Sequence, residues 1–238
     1  MSDIDGPGLA RRLRESTKEI HDTSDKLVNL KLGVAMSDEK VWANGLLVFA
    51  KVFFQLEKSL DDFASLADLD VEGMRRTQAL EKDLDFFFGH SWRTQKDPQP
   101  VQDYVSHLKK LSEDEPYLLI PYIYHLYMGL LSGGQLLSKK RALTGAAEEQ
   151  EGSAVTTFPG ETPFNMKKKL RSATNALGEE LDSELQSRIV EEGINVFKWN
   201  NAIIKTVEGV NEIFYKKLFK WISIFVLILA IIFYYFYK

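Results

Sequence analysis

SDEKVWANGLLVFAKVFFQLEKSLDDFA, residues 37–64, carries a single apolar stripe. Trp42, Leu46, Phe49, Phe53, Leu56, Leu60 and Phe63 recur at alternating spacings of four and three, the period of one face of an α-helix. Ser37 stands where an N-cap is needed, and Asp38 and Glu39 suit the positive end of the helix dipole. Outward from this stretch the helical period returns over about residues 8–29, 74–88, 101–112, 117–143 and 183–215. Pro98, Pro100 and Pro116 mark breaks between these runs. No segment alternates with period two, so the fold expected is all-α, a multi-helix bundle. Residues 144–162, rich in Ala, Gly, Glu, Ser and Thr, read as a mobile loop.

The bulk composition narrows the function classes. The chain has 238 residues, 45% hydrophobic and 27% charged, which suits one globular domain with an appendage. Its formal charge of −4 provides no basic field, so no nucleic-acid partner is expected. There is no cysteine, which excludes thiolate metal ligands, zinc ribbons, disulfides and cysteine nucleophiles. A metal must rely on His, Asp, Glu or Tyr, and the histidines are His21, His90, His107 and His125.

The two ends differ. The first residues, MSDIDGPGLARRL, have no apolar core of a secretory signal. Residues 218–237, LFKWISIFVLILAIIFYYFY, hold Lys220 as their one charge and match the about 20 residues needed to cross a bilayer. Trp221 at one end and Tyr234, Tyr235 and Tyr237 at the other suit the two membrane interfaces. Lys216, Lys217 and Lys220 precede the run or open it and Lys238 follows it, so the positive-inside bias places the large domain in the cytosol. The expected organisation is a helical domain over 1–215 and a membrane anchor over 216–238.

Three segments carry chemistry. In LRESTKEIHDTSDKL, residues 13–27, Arg14, Lys18 and His21 share one helix face, and Asp25 lies one turn beyond His21. A histidine with a carboxylate four residues on is a metal ligand with an orienting partner: the acid takes one ring N–H and the other nitrogen faces the metal. Two cations on the same face would meet the propionates of a haem. The same spacing also describes a solvated face with an ion-pair ladder. In YHLYMGLLSGGQLL, residues 124–137, Gly129, Gly133 and Gly134 interrupt an apolar helical pattern. Each costs about 1 kcal/mol relative to Ala, so a compensation is expected, either close approach to a flat ligand or tight helix packing. MKKKLR, residues 166–171, opens a helix with Lys167 and Arg171 on one face, as a propionate clamp or as a face toward solvent or anionic lipid.

These segments resemble heme oxygenases. LRESTKEIH is similar to the first-helix segment that ends in the family's proximal haem ligand, and GLLSGGQ to the distal-helix glycine motif. The likeness runs from about Leu9 to Val210 and includes ALEKDLDFFFGHSW at 79–92, Thr157-Phe158-Pro159 and Phe197-Lys198-Trp199-Asn200. It implies haem sandwiched between the first helix and a kinked distal helix. It also implies oxidation of haem b, substrate and cofactor at once, by O2 to biliverdin, CO and iron. The electrons would come from an NADPH-dependent reductase of the cytochrome P450 reductase type, with a biliverdin reductase downstream. Many members carry a C-terminal anchor in the endoplasmic reticulum membrane. Position by position, the resemblance makes His21 the iron ligand and Asp25 its orienting partner. Arg14, Lys18, Lys167 and Arg171 would hold the propionates, with Tyr124 nearby. Gly129 and Gly133 would pass over the haem face and Phe197 would wall the pocket.

The sequence departs from the pattern on the distal side. Well-studied members read GDLSGG, and the aspartate orders the water network that supplies a proton. Here that position is Leu130, while Phe53 replaces a distal tyrosine and Leu126 an arginine. The variant is similar to MALMSGG-like patterns of insect heme oxygenases. A drier pocket implies slow turnover and weak regioselectivity. Loss of the distal chemistry also leaves a non-catalytic haem sensor or carrier as an alternative, and a haem-free membrane-tethered adaptor as a third.

Overall fold

The computed structural model describes residues 8–23, 33, 38–136, 139 and 151–237. Among them the chain forms α1 Leu9–Ser16, α2 Lys18–Thr23, α3 Glu39–Asp62, α4 Thr77–Phe88, α5 Gln99–Asp114, α6 Ile120–Gly129, α7 Pro163–Glu180, α8 Ser183–Ile204 and α9 Val210–Phe236, with no strand. Asp25 and Ser37 lie outside the described residues.

Helix α3 is the centre of the bundle. Asp38 caps it, accepting hydrogen bonds from the Lys40 and Val41 backbone N–H groups at 3.1 and 3.2 Å. The stripe read from the sequence is only part of its buried surface. Val41, Ala43, Val48, Ala50 and Val52 are buried as well, because α4, α5 and α8 pack around it. Trp42, on the stripe, donates its indole N–H to the Gly152 carbonyl at 2.9 Å.

The expected first helix is broken at Thr17. The Thr17 hydroxyl donates to the Leu13 carbonyl at 2.7 Å, competing with the backbone ladder, and α2 starts immediately after. Helix α1 beds into α7 and α8 where both are glycine. A Cβ on Gly178 would stand 2.7 Å from Leu9 Cβ, and one on Gly193 3.2 Å from Leu13 Cδ2. That close approach places α2 beside α6 and α8.

Two buried polar knots tie the bundle together. Glu57 on α3 accepts from Tyr127 Oη at 2.7 Å, from Thr77 N at 3.1 Å and from Arg76 N. The Arg76 guanidinium donates to the carbonyls of Met74, Thr157 and Gly73 at 2.9, 2.8 and 2.6 Å, and lies over the Phe158 ring. Asp83 on α4, fully buried, accepts from Ala154 N and Val155 N at 2.8 and 2.9 Å. The last part of the stretch read as a loop is therefore held: Ser153, Val155 and Thr156 are buried.

Helix α9 leaves the body after Gly209, whose φ of +80° turns the chain. Val210 and Ile213 pack on the core. Val210–Phe236 contains an 18-residue window of mean hydropathy 2.2, none of it buried, and is long and apolar enough to cross a membrane.

Candidate functional site

A cavity of about 610 Å³ lies between α1–α2 on one side and the end of α6 on the other. His21 contributes from α2, and Arg14 and Lys18 precede it on the same face. Tyr124, His125, Met128, Gly129 and Ser132 contribute from α6 and the turn after it, and Phe197 from α8. The volume falls in the range of small-molecule and cofactor sites. Glu15 also lines it, a carboxylate among the cations.

The glycine segment shapes the far wall. After α6 the residues Leu130–Gly134 form one π-helical turn, a geometry frequent at functional sites. A Cβ built on Gly129 or Gly133 meets nothing within 4 Å, whereas one on Gly134 meets Leu130 Cδ1 at 2.9 Å. The first two glycines thus face open space and the third is needed for packing. Leu130 folds back over Gly134 and is not part of the cavity lining.

Phe197 holds the ring contacts together. Its ring is edge-on to His21, with centroids 5.8 Å apart, and to His125, 5.0 Å apart. Tyr124 is buried and edge-on to His125 at 5.2 Å. The rest of the FKWN motif faces elsewhere: Trp199 stacks on Tyr104 at 5.6 Å, and Asn200 accepts the Tyr104 hydroxyl at 3.2 Å. Burial, and secondarily the charge of His21, push His125 down to about 4, so it is neutral at physiological pH.

Of the residues expected here, Arg14, Lys18, His21, Tyr124, Gly129 and Phe197 line the cavity. Lys167 reaches its rim, with Nζ 3.3 Å from Ser132 Oγ, and Gly133 lies on the glycine turn. Arg171 stands one turn beyond Lys167 on α7, half-buried and outside the lining. Phe53 and Leu126 are buried in the core, Phe53 edge-on to Tyr127 at 5.3 Å. Sequence reasoning held His125 only as the next candidate ligand should His21 fail, because it lies on the glycine-bearing helix beside Tyr124; the structure puts it in the cavity lining.

Among the described residues no three His, Asp or Glu side chains cluster as ligands for a bare metal ion. A porphyrin brings four equatorial nitrogens of its own and needs one axial histidine. His21, the open backbone of Gly129 and the cations Arg14 and Lys18 around one cavity fit that requirement.

Comparison with known proteins agrees. A sequence model of the heme oxygenase family matches residues 7–206. Heme oxygenase 1 of Gallus gallus is 32% identical over 209 residues, spanning 84% of this chain and 70% of the relative. Heme oxygenase 1 of Homo sapiens is 30% identical over 209 residues, with 84% and 72% covered. The crystal structure of heme oxygenase-1 from the cyanobacterium Synechocystis in complex with heme superposes with a TM-score of 0.75 at 28% identity, covering 92% of this chain and 98% of that one. Heme oxygenase 2 from Chlamydomonas reinhardtii without heme gives 0.77 at 28% identity, covering 84% and 97%. With the fold, the site and these relatives in agreement, the chain belongs to the heme oxygenase family, whose members are oxidoreductases that degrade heme.

Proposed function

We propose that the cavity between α2 and the glycine turn binds haem b through His21 and that the protein oxidises it with O2 to biliverdin, CO and ferrous iron. The observation that carries this reading is the shared cavity: His21 and the open backbone of Gly129 line one space. When bound, haem supplies the metal that activates O2 and is itself the molecule cleaved. The residues of this chain bind and orient it. His21 would ligate its iron. Arg14 and Lys18 on the α1–α2 side and Lys167 at the rim attract the propionates, with Arg171 adding positive charge one turn away. Phe197 and Met128 exclude water from the ring edge, and Gly129 and Gly133 let backbone approach its face. Asp25 is the orienting acid that the family resemblance implies.

The proton supply sets this chain apart. Leu130, folded over Gly134 behind the cavity, offers no polar group to order a water, and the buried Phe53 and Leu126 are apolar too. We therefore expect the site of cleavage to be steered by ring fit and propionate seating. Chromatography of the products should show a mixture of biliverdin isomers, formed slowly. Leu130→Asp alone should not restore selectivity, since a carboxylate there loses solvation without gaining a partner. Adding Phe53→Tyr and Leu126→Arg is needed for the full effect. A single isomer made rapidly by the unmodified protein contradicts this part of the reading.

Exposed charges are each worth under about 1 kcal/mol, so single removals of Lys18, Lys167 or Arg171 should weaken haem binding only several-fold. The triple variant to Ala should weaken it about 10-fold or more, read by Soret titration. Undiminished affinity would assign these cations to solvent or lipid.

Helix α9 supports a tail anchor in the endoplasmic reticulum membrane with the catalytic domain in the cytosol. Lys216, Lys217 and Lys220 on the body side and the tyrosines at the far end support that orientation. A cytosolic site suits electron delivery by a cytochrome P450 reductase-like NADPH enzyme and transfer of product to a biliverdin reductase. Removing residues 217–238 should release a soluble protein that still binds haem, because the core ends at Ile213. Aggregation of that form would show that the apolar helix packs on the body.

A further inference from the structure

Helix α9 runs unbroken from the body into the apolar stretch. Val210–Phe236 holds neither proline nor glycine, the residues at which helices bend sharply. Its first turns belong to the body: Val210 and Ile213 pack on the core, and Phe214 and Lys217 are half-buried. From Leu218 to Tyr237 every residue is exposed. No linker separates the two parts, since the last half-buried residue and the first of the apolar run are neighbours in sequence.

The helical rise turns this into distances. Residues 218–237 make about 30 Å of helix, the thickness of the hydrocarbon core, so Leu218 stands at its edge. Ile213 lies five residues earlier, about 7–8 Å along the axis. A headgroup layer is about 5–8 Å deep. Ile213 and the core it packs on therefore lie at the outer face of the headgroups, and any tilt of α9 brings them lower.

Gly209 fixes which part of the body is nearest. A Cβ there would stand 3.3 Å from Val41 Cγ2, so the α8–α9 corner lies against the first turn of α3. Lys205 and Glu208 on the corner and Glu39 and Lys40 on α3 are exposed. Lys216, Lys217 and Lys220 bring positive charge to the same junction, which suits lipid phosphates.

We propose that the body has a lipid-contact surface, the α8–α9 corner with the first turn of α3, and that the unbroken α9 holds it on the phospholipid headgroups. The inference rests on the reading of α9 as the membrane anchor. Held this way, the body does not roam on a flexible tether. Phe197, in the wall of the haem cavity, precedes Lys205 by eight residues of α8, about 12 Å. The contact thus keeps the cavity close to the membrane surface.

The chain has no cysteine, so an introduced one is the single site for a thiol-reactive label. Lys40→Cys and Lys205→Cys, each in the full chain, receive an environment-sensitive fluorophore. Each is inserted into phosphatidylcholine vesicles with and without a lipid that carries a nitroxide on its headgroup. Both labels should lose most of their emission to the nitroxide. A Gly/Ser segment of about 20 residues inserted between Lys217 and Leu218 should restore it, because such a chain spans about 25 Å on average. Labels that stay bright in the directly joined protein overturn the proposal. Quenching that survives the inserted segment overturns it too, because the body would then bind lipid without being held there by the helix. The anchor reading fails separately, if the chain does not float with the vesicles in a density gradient.

Discussion

On the proposed reading, His21→Ala should remove the histidine-ligated spectrum of the haem complex and with it haem degradation. The other histidines are accounted for. His90 is exposed and held by Arg93, 2.9 Å away, and Asp85, 3.3 Å away. His107 Nε2 is 2.9 Å from both Tyr122 Oη and Glu192 Oε1, tying α5 to α6 and α8. Burial pushes Glu192 up, but hydrogen bonds from His107, Tyr122 and Asn195 outweigh it and hold its carboxyl below the usual range, so this group stays ionised and engaged. His125 turns its open nitrogen into the wall. Only His21 presents an imidazole from the helix that flanks the cavity together with two cations. Loss of a mere orienting partner costs a metal site roughly 10–100-fold in affinity or activity, and loss of the axial ligand should exceed that. Free imidazole added to the variant should occupy the vacated space and restore the ligated spectrum. An unchanged spectrum in His21→Ala without imidazole would overturn the assignment.

Glu57→Ala should be the most destabilising single change in the bundle. Glu57 is 4% exposed and accepts from two backbone N–H groups and the Tyr127 hydroxyl. Tyr127 is fully buried, and burial first and the Glu57 charge second push its phenol well above the ordinary value, so it remains a donor at any working pH. Removing the carboxylate strands that donor and the Arg76 and Thr77 backbone N–H groups, and takes a nearby negative charge from the buried Arg76 guanidinium, which keeps its bonds to backbone carbonyls. Breaking a buried charged group costs about 3–5 kcal/mol, which for a domain of this size lowers Tm by roughly 6–20 °C. That is a large fraction of the about 5–15 kcal/mol that holds a domain folded. Thermal unfolding of the haem-free protein measures it, and a drop of under about 2 °C would show that water takes over the carboxylate's role.

Periodic features were legible in the sequence because they repeat locally. The α3 stripe, the apolar C-terminal run and the glycines of the turn after α6 all announce themselves within one or two helical turns. His21 with Arg14 and Lys18 was readable for the same reason, since residues four and three apart share a face. What could not be read depends on distant partners. Glu57 lies beside Lys58 and looks like a solvated charge, yet its partners Arg76 and Tyr127 are 19 and 70 residues away. Asp83 reads as one more acid in a charged helix, but it holds a segment 71 residues on. The break at Thr17 turns on one hydroxyl, and the glycine turn widened to a π-helical one where a continuous helix over 117–143 was expected. His125 followed the helical pattern without disclosing which way its ring would face.

The most direct test of the account is a single-turnover experiment. The full chain is loaded with haem, given an NADPH-driven reductase and air, and followed through the Soret band and the visible absorbance of the product. The account predicts a histidine-ligated Soret band that decays as biliverdin absorbance grows, with one CO released per haem consumed. A Soret band that persists undiminished under electron supply would contradict it and make the protein a haem carrier.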